Sequence, residues 1–271
     1  MVRFQAEMTV RRRECVLTIA GSDSGAGAGI QADSRTIQAL GGYALTAVTA
    51  VTAQNTRGVT AWRAVSPELI RLQVEAVLSD FSVKAVKTGL LPGAAAILSV
   101  EAALKAHATI PLIVDPVIGS TSGTRFLSET GLRVLKQKLF SRAALVTPNW
   151  PEAEALTGLR IRSAADVERA AIRLLDTGCR AVLVKGGHGR GPTCSDCLAT
   201  SEGVLRWFDG PRIATRNTHG TGCVLSSAIA TGLASGKSMQ RAVVDARRFL
   251  LQSLESGRSV RWGKGAGPSF S

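Results

Sequence analysis

Residues 217–223 read Asn-Thr-His-Gly-Thr-Gly-Cys and lead directly into the apolar stretch 224–233. Two glycines beside hydroxyl and imidazole side chains let the backbone come close to an anion, and a helix beginning there would point its free N–H groups at that anion. The sequence therefore predicts an anion-binding helix N-terminus. Cys223 falls in the first turn, where a helix terminus lowers a thiol pKa and favours the thiolate, although a cysteine there can also be a small packed residue.

A second glycine-rich loop follows the first predicted strand. Residues 15–20 are an apolar run of strand length, residues 21–29 read Gly-Ser-Asp-Ser-Gly-Ala-Gly-Ala-Gly, and a helix is predicted over 30–40. The loop does not fit a dinucleotide fingerprint, because its third glycine is misplaced and no acidic residue follows about 20 residues later. Residues 232–238 resemble a P-loop with one spacer too few, so we interpret them as a helix C-terminus and a turn.

Apolar runs of strand length alternate with helical segments along the chain. We predict strands over 83–86, 112–114, 144–146 and 181–184, β segments extending one edge over 204–208 and 213–216, and helices over 67–81, 132–140 and 165–175. The alternation predicts an α/β fold with three layers, α/β/α, around a largely parallel central sheet. Ligands bind outside the carboxyl ends of such strands, which is where Gly21, Lys87, Asp115, Asn149 and Lys185 fall.

Composition narrows the class of protein. The 271 residues carry a net charge of +13, but the basic residues are dispersed and aromatic residues make up 4% of the chain, which disfavours nucleic-acid binding. The odd number of cysteines without framework spacing favours a reducing compartment. Cys194 and Cys197 lack the second pair of a structural zinc site, so we interpret them as a chance pair in a surface loop.

No membrane or export segment is evident in the sequence. Its apolar stretches are shorter than the about 20 residues of a membrane span, and the first residues lack the apolar core of a signal peptide. We therefore expect a cytoplasmic protein with a basic tail over 1–15 and a single domain over 16–271. Met8 is an alternative start that the sequence does not decide.

Seven motifs in a fixed order point to one family. The chain contains the loop at 21–29, Val-Thr-Ala-Gln-Asn-Thr-Arg-Gly at 51–58, Lys-Thr-Gly-Leu at 87–90, Val-Asp-Pro-Val at 114–117, Thr-Pro-Asn-Trp-Pro-Glu-Ala at 147–153, Lys-Gly-Gly-His at 185–188 and the stretch at 217–223. Together they resemble the hydroxymethylpyrimidine and phosphomethylpyrimidine kinases of thiamine biosynthesis, over about residues 16–268. The resemblance implies a ribokinase-like fold, ATP and Mg²⁺ as cofactors, and a homodimer.

The resemblance implies roles in phosphoryl transfer, which needs cations and an anion hole around the phosphates. The predicted catalytic residues are Lys185, which would reach ATP phosphates, the anion hole of Gly220, Thr221 and Gly222, and Cys223, which would accept the proton of the alcohol. Asn149, Glu152 and Asp115 would bind ATP and magnesium, Glu152 holding the metal through water. Alternatively, Lys185 is a strand-end surface residue, Asn149 and Glu152 cap a helix, and Asp115 is a turn residue.

The resemblance also implies a pocket for an aminopyrimidine. The amide of Gln54 can donate to and accept from such a ring, and Gly21, Ala28, Asp33 and Leu90 would complete the pocket, with Leu90 replacing a methionine of similar volume. Gln54 could instead cap a strand edge, and Asp33 could be an exposed helix residue. Thr121 stands where the family usually has a lysine, which puts one phosphate or lid contact in question.

The sequence therefore predicts a kinase that phosphorylates 4-amino-5-hydroxymethyl-2-methylpyrimidine and then its monophosphate. The expected partners are this pyrimidine and ATP, without a membrane or nucleic acid. A pyridoxine or pyridoxal kinase is the alternative enzyme, because that ring has a similar size and a hydroxymethyl arm. An alternative of another class is a non-catalytic basic nucleic-acid-binding or regulatory module, whose affinity for DNA would fall steeply with salt.

Overall fold

The computed structural model describes residues 13–119, 123–189 and 191–269. Its strands are β1 (Cys15–Asp23), β2 (Tyr43–Asn55), β3 (Gly58–Ala64), β4 (Val83–Thr88), β5 (Leu112–Val114), β6 (Leu145–Val146), β7 (Ala181–Val184), β8 (Thr193–Thr200) and β9 (Leu205–Pro211). Its α-helices are α1 (Gly29–Ala39), α2 (Pro67–Asp80), α3 (Ala94–Leu104), α4 (Glu129–Lys138), α5 (Trp150–Thr157), α6 (Ala164–Leu175), α7 (Thr221–Ala234) and α8 (Met239–Ser256). Met8, most of the predicted basic tail and Thr121 lie outside the described residues.

The strands form one mixed sheet whose centre is parallel. The strand order is β3-β2-β1-β4-β5-β6-β7-β8-β9. The six strands from β2 to β7 in this order are parallel to one another, whereas β3, β8 and β9 pair antiparallel at the two edges. The carboxyl ends of the parallel strands therefore meet along one edge, as the sequence predicts.

Each central strand is buried on both faces because helices cover the sheet from both sides. Leu17 and Ile19 of β1 pack into a core with helices α2 to α6, and Val16, which points the other way, packs into a second core with α1, α7 and α8. Such strands are apolar along their whole length, which explains the short apolar runs in the sequence. The predicted three-layer α/β/α fold is confirmed.

Two local predictions at the antiparallel edge are wrong. Residues 213–216 form no strand, since β9 ends at Pro211, which cannot donate to a ladder. Cys194 and Cys197 lie in strand β8 and not in a surface loop, with Cys197 buried and Cys194 half-buried. The polar residues of β8 hide its strand character from a hydrophobic pattern.

Across the part of the chain that the structure describes, every helix is too short or too polar to span a membrane. The P-loop-like residues 232–238 hold the end of α7 and a turn, with Gly236 in the left-handed region at a φ of 76° and Ser238 capping α8. The interpretation of this stretch as a helix end and turn is confirmed.

One buried hydroxyl in β4 gives a testable prediction for stability. The side chain of Thr88 is fully buried, and among the described residues its Oγ1 has no hydrogen-bond partner. We expect Thr88→Val to stabilise the fold by about 1 kcal/mol, because the isosteric change removes an unpaired polar group. Urea unfolding should show a higher midpoint at an unchanged slope. Thr18→Val is the matched control, since Thr18 donates to Asp33 at 2.5 Å and its loss should lower the midpoint; a lower midpoint for Thr88→Val would contradict the prediction.

Candidate active site

A cavity of about 450 Å³ lies at the carboxyl ends of the parallel strands, beside the N-terminus of α7. Its volume is within the range of small-molecule sites. The cavity brings together residues that the sequence predicts for substrate, phosphate and metal binding, from both glycine-rich loops and from several strand ends. They are Gly21, Ala28, Gln54, Leu90, Asp115, Asn149, Glu152, Lys185, Gly220, Thr221, Gly222 and Cys223.

The first turn of α7 faces this cavity through glycine backbone. Gly220 is the N-cap of the helix with a φ of 80°, and no described side chain caps the first turn. A Cβ at Gly220 would lie 2.0 Å from the carbonyl oxygen of Gly27, so the loop at 21–29 packs directly against the helix start. The first turn of a helix has N–H groups without an intrahelical partner, and here that turn lines the cavity, which is the arrangement that binds an anion.

Lys185 directly follows β7 and lies between two carboxylates. Its Nζ is 2.7 Å from Asp115 Oδ1 and 3.9 Å from Glu152 Oε2. A Cβ at Gly222 would lie 3.1 Å from the same Nζ, which places the ammonium group over the first turn of α7. Burial alone would lower the pKa of Lys185, but Asp115 and Glu152 raise it. The lysine is therefore charged and held in the cavity, not on the surface.

The turn after Lys185 is fixed from two directions. The N–H of Gly186 donates to Asp196 Oδ1 at 2.6 Å, and Asp196 is paired with Arg247 of α8. The guanidinium of Arg212 donates to the carbonyl oxygens of Gly187 and Gly189 at 2.9 and 2.8 Å. These contacts hold Lys185 at the cavity and place a second cation, Arg212, at its wall.

Asn149 and Glu152 form a complete capping box at the start of α5. Asn149 Oδ1 accepts from the N–H of Glu152 at 2.9 Å, and Glu152 Oε2 accepts from the N–H of Asn149 at 2.8 Å. The capping interpretation is therefore correct, and both residues also line the cavity. Capping and ligand binding are compatible, because each carboxylate oxygen has more than one lone pair.

Asp115 and Glu152 are suited to bind a divalent cation whose other ligands are phosphate oxygens and water. Burial raises the pKa of Glu152 to about 7, with Asp115 adding to the effect and Lys185 opposing it. Two carboxylates thus share one lysine, and a further cation would stabilise both. Among the described residues no group of three or more His, Cys, Asp or Glu could hold a metal. Magnesium commonly takes one or two carboxylates plus substrate phosphates and waters, so the donor set fits that ion.

Cys223 lies at the cavity, but its thiol is not a ready thiolate. Burial raises the pKa of Cys223 to about 11, Lys87 opposes this effect, and Asp33 and Asp115 add to it. The expectation that the helix terminus favours the thiolate is therefore wrong. Burial of the thiol and the negative charges of Asp33 and Asp115 raise its pKa by more than Lys87 and the backbone N–H of Gly29 lower it.

Gln54 lies near the end of β2 and lines the cavity. Its backbone N–H donates to Ser24 Oγ at 2.8 Å, and Ser24 Oγ donates to the Gln54 carbonyl oxygen at 2.8 Å. Its side-chain amide lies 2.8 Å from His219 Nε2. Leu90 packs beside Gly21, where a Cβ would come within 2.8 Å of its Cδ2. Gln54, Gly21 and Leu90 are thus brought together as predicted.

Asp33 lies behind the cavity and does not line it. Its side chain is fully buried, and its oxygens accept from Lys87 Nζ at 2.9 and 2.8 Å, Ser227 Oγ at 2.7 Å and Thr18 Oγ1 at 2.5 Å. The alternative of an exposed helix residue is also wrong. We therefore replace the predicted direct substrate contact by a supporting position that joins α1, β1, β4 and α7.

Asp23, Lys87 and His219 are not among the predicted catalytic, substrate-binding or metal-binding residues, although the structure places all three at the cavity. Asp23 stands inside the glycine-rich loop, and a carboxylate followed by several free N–H groups is a signal for a loop anchor that could have been found. The pair between Lys87 and Asp33 joins residues 54 positions apart, so no local pattern predicts it. His219 contacts Asp23 across 196 positions.

One protein family and several curated proteins match most of this chain. The family model for phosphomethylpyrimidine kinase matches residues 23–269. A thiamine biosynthesis bifunctional protein from Geobacter sulfurreducens is 44% identical over 256 residues, which cover 94% of this chain and 52% of that protein. A hydroxymethylpyrimidine/phosphomethylpyrimidine kinase from Rhizobium meliloti is 44% identical over 253 residues, which cover 93% of this chain and 94% of that protein. The chain thus spans about half the length of the bifunctional relative.

A solved structure confirms the fold. The Bacillus subtilis pyridoxal kinase, crystallised as an ADP complex, matches this chain with a TM-score of 0.88 at 29% identity, over 95% of this chain and 97% of that chain. The predicted ribokinase-like fold is therefore confirmed.

Proposed function

This chain belongs to the phosphomethylpyrimidine kinase family, and we propose from that premise that it phosphorylates 4-amino-5-hydroxymethyl-2-methylpyrimidine and then its monophosphate, using ATP and Mg²⁺. One observation carries the proposal. A single cavity contains both the amide of Gln54, suited to an aminopyrimidine edge, and the charged Lys185 over an uncapped helix N-terminus, suited to a phosphoryl group. The name of the Geobacter sulfurreducens relative supports the thiamine pathway, and that of the Rhizobium meliloti relative supports the two phosphorylations.

The acceptor end of the cavity matches a small aromatic alcohol. Leu90, Val117 and Phe126 supply apolar walls, and Gln54 supplies the polar contact that fixes the ring. The alcohol oxygen would lie toward Cys223 at the start of α7. In the first step this oxygen attacks the γ-phosphorus, the bond from that phosphorus to ADP breaks, and the alcohol proton leaves to a base. In the second step a phosphate oxygen of the monophosphate attacks in the same way.

The donor end of the cavity matches a nucleoside triphosphate. The N–H groups of Gly222 and Cys223 and the ammonium of Lys185 would stabilise charge on the transferring group, where such preorganised donors are most effective. The cavity continues to an apolar wall of Ile213, Leu250 and Leu254, which we propose for the nucleoside. Asn149, Glu152 and Asp115 would hold Mg²⁺ mainly through water, and the ion supplies charge neutralisation on the phosphates.

The test is a product analysis by mass after incubation with the pyrimidine alcohol, ATP and magnesium. The proposal expects the monophosphate and then the diphosphate. Pyridoxal kinase is a second candidate, favoured by the structural match to the Bacillus subtilis enzyme. It would be preferred if kcat/KM for pyridoxal exceeded that for the pyrimidine. An absence of phosphoryl transfer to either ring, together with salt-sensitive DNA binding, would support the non-catalytic module instead.

Loss of the Gln54 amide tests the acceptor end. We expect Gln54→Ala to weaken binding of both pyrimidine substrates by roughly 1–3 kcal/mol, because the polar edge of the ring is then buried without a partner. Binding of ATP should stay nearly unchanged, since the nucleotide end lies elsewhere in the cavity. Steady-state kinetics with each substrate varied in turn measures both effects. Unchanged KM and kcat for the pyrimidines would remove Gln54 from the site.

We also propose a cytoplasmic location and a homodimer. We further propose that the chain consists of a tail over 1–15 and one domain over 16–271. Light scattering of the purified chain would measure its oligomeric state directly.

A further inference from the structure

A carboxylate, an imidazole and an amide meet at one nitrogen atom beside the cavity. Nε2 of His219 lies 2.9 Å from Asp23 Oδ2 and 2.8 Å from the amide nitrogen of Gln54, Nε2. A neutral imidazole nitrogen carries either a hydrogen or a lone pair, so it cannot donate to Asp23 and accept from Gln54 at the same time. The ionisation state of Asp23 decides whether Nε2 of His219 donates or accepts.

The loop around Asp23 holds it as a carboxylate. Its side chain is 5% exposed, Oδ1 accepts from the N–H of Gly25 at 2.8 Å, and Oδ2 accepts from Gly27 and Ala28 at 3.0 and 2.9 Å. Burial alone would raise the pKa of Asp23, but hydrogen bonds from His219 and from the backbone of Gly25 and Ala28 lower it by more. A carboxylate only accepts hydrogen bonds, so Nε2 of His219 must carry the hydrogen.

The imidazole is packed closely at this contact. A Cβ at Gly27 would lie 2.3 Å from His219 Cδ2, so the loop backbone leaves no room for a side chain between itself and the ring. The N–H of His219 donates to the Gly267 carbonyl at 3.0 Å, and its carbonyl accepts from the N–H of Ser269 at 3.0 Å. The single hydrogen on His219 Nε2 therefore lies between Asp23 Oδ2 and the Gln54 amide, which can share it in a three-centre hydrogen bond.

We propose that His219 fixes the orientation of the Gln54 amide, with Oε1 toward the imidazole and the NH₂ group toward the cavity. The structure places the amide nitrogen of Gln54 2.8 Å from His219 Nε2, but two N–H groups cannot face each other at that distance. A half-turn about the last torsion of Gln54 exchanges its oxygen and nitrogen without moving the rest of the side chain and removes this conflict. The backbone of Gln54 is already held by Ser24 on both of its polar groups. His219 is thus a positioning residue, and the inference rests on the proposed function, in which Gln54 contacts the pyrimidine.

The fixed amide determines which ring edge the cavity accepts. In an aminopyrimidine, a ring nitrogen that accepts lies beside an amino group that donates. The Gln54 NH₂ pairs with that nitrogen, and the second lone pair of Oε1 accepts from the amino group. The 4-oxo analogue presents a ring N–H beside a carbonyl oxygen, which is the reverse order, so the fixed amide meets it with repulsion. Without the His219 donor, Gln54 can turn over and pair with either edge.

Histidine NMR tests the first half of the proposal without any reaction. The chain has three histidines, so ¹⁵N-histidine labelling gives few signals, and the signals missing in His219→Gln assign His219. We expect Nε2 of His219 to be protonated near neutral pH, with Nδ1 either free or also protonated. A tautomer that carries its hydrogen on Nδ1 alone would overturn the proposal.

Substrate discrimination tests the second half. His219→Gln keeps an N–H donor close to the position of Nε2, whereas His219→Leu keeps the bulk and removes the donor. We expect the wild type and His219→Gln to prefer the aminopyrimidine alcohol over its 4-oxo analogue about 100-fold or more in kcat/KM, and His219→Leu to prefer it less than about tenfold. A merely structural role would lower both activities equally and leave their ratio unchanged.

The outcomes separate this inference from the proposed function. A wild type that does not phosphorylate the aminopyrimidine contradicts the proposed function, and the tautomer of His219 still decides the orientation of Gln54. An active wild type together with an unchanged ratio in a folded His219→Leu overturns the inference and leaves the proposed function standing. Where His219→Leu does not fold, the tautomer of His219 decides.

Discussion

Lys185→Ala should lower the turnover of both phosphorylation steps about 100- to 1,000-fold, the range found when one preorganised donor to a developing anion is removed. Both steps transfer the same γ-phosphoryl group, so the loss should be similar for the alcohol and the monophosphate. The ammonium group lies over the first turn of α7, 2.7 Å from Asp115 Oδ1. No other described residue places an ammonium group between those two carboxylates and the helix N-terminus.

The variant must be compared with one that removes a lysine elsewhere. Lys237→Ala is suitable, because the exposed Lys237 pairs with Asp245 at 2.8 Å and lies outside the cavity. Lys185→Ala also leaves the buried Asp115 without its cation, so its fold should be checked by circular dichroism and urea unfolding. In the wild type Lys185 helps to lower the pKa of Asp115. The ionised Asp115 therefore stabilises the folded state, and this contribution to the free energy of unfolding is lost as the pH falls through the lowered pKa. Folded Lys185→Ala with full turnover on both substrates would exclude the phosphate role.

The architecture was predictable because its signals are local. Short apolar runs such as 83–86 and 181–184 mark strands that are buried on both faces, and each lies within the strand observed there. The direction of the parallel strands then places Asp115, Asn149 and Lys185 along one edge. The isolated bridge between Asn149 and Lys185 shows how closely these strand ends approach.

The interior of the site was not predictable because its interactions join distant residues. Asp33 and Ser227 are 194 positions apart, and Gln54 and His219 are 165 apart. The pKa of Cys223 was not predictable for the same reason. A helix N-terminus can be recognised from 217–223 alone, whereas the burial and the carboxylates that outweigh it come from the folded chain.

Cys223→Ala should separate the two chemical steps. The alcohol of the first substrate must lose a proton, whereas the monophosphate is already largely ionised near neutral pH because its second pKa is about 6. We therefore expect Cys223→Ala to slow the first phosphorylation by roughly 100-fold or more, as general-base loss does, and the second considerably less. Step-resolved kinetics on the alcohol and on the monophosphate measures both effects. Cys15→Ala is a matched control, since Cys15 lies at the start of β1 and outside the cavity.

The raised pKa of Cys223 adds a prediction about pH. With a thiol pKa of about 11, the thiolate is a small fraction of the unliganded protein near neutral pH. That fraction grows about tenfold per pH unit below the pKa, so the first step of the wild type should accelerate from about pH 7 to about pH 9. The first step of Cys223→Ala should lose this slope, and the second step should lack it in both proteins. Equal losses on both steps without a change of slope would mean that Cys223 shapes the anion hole through its backbone and packing and does not act as a base.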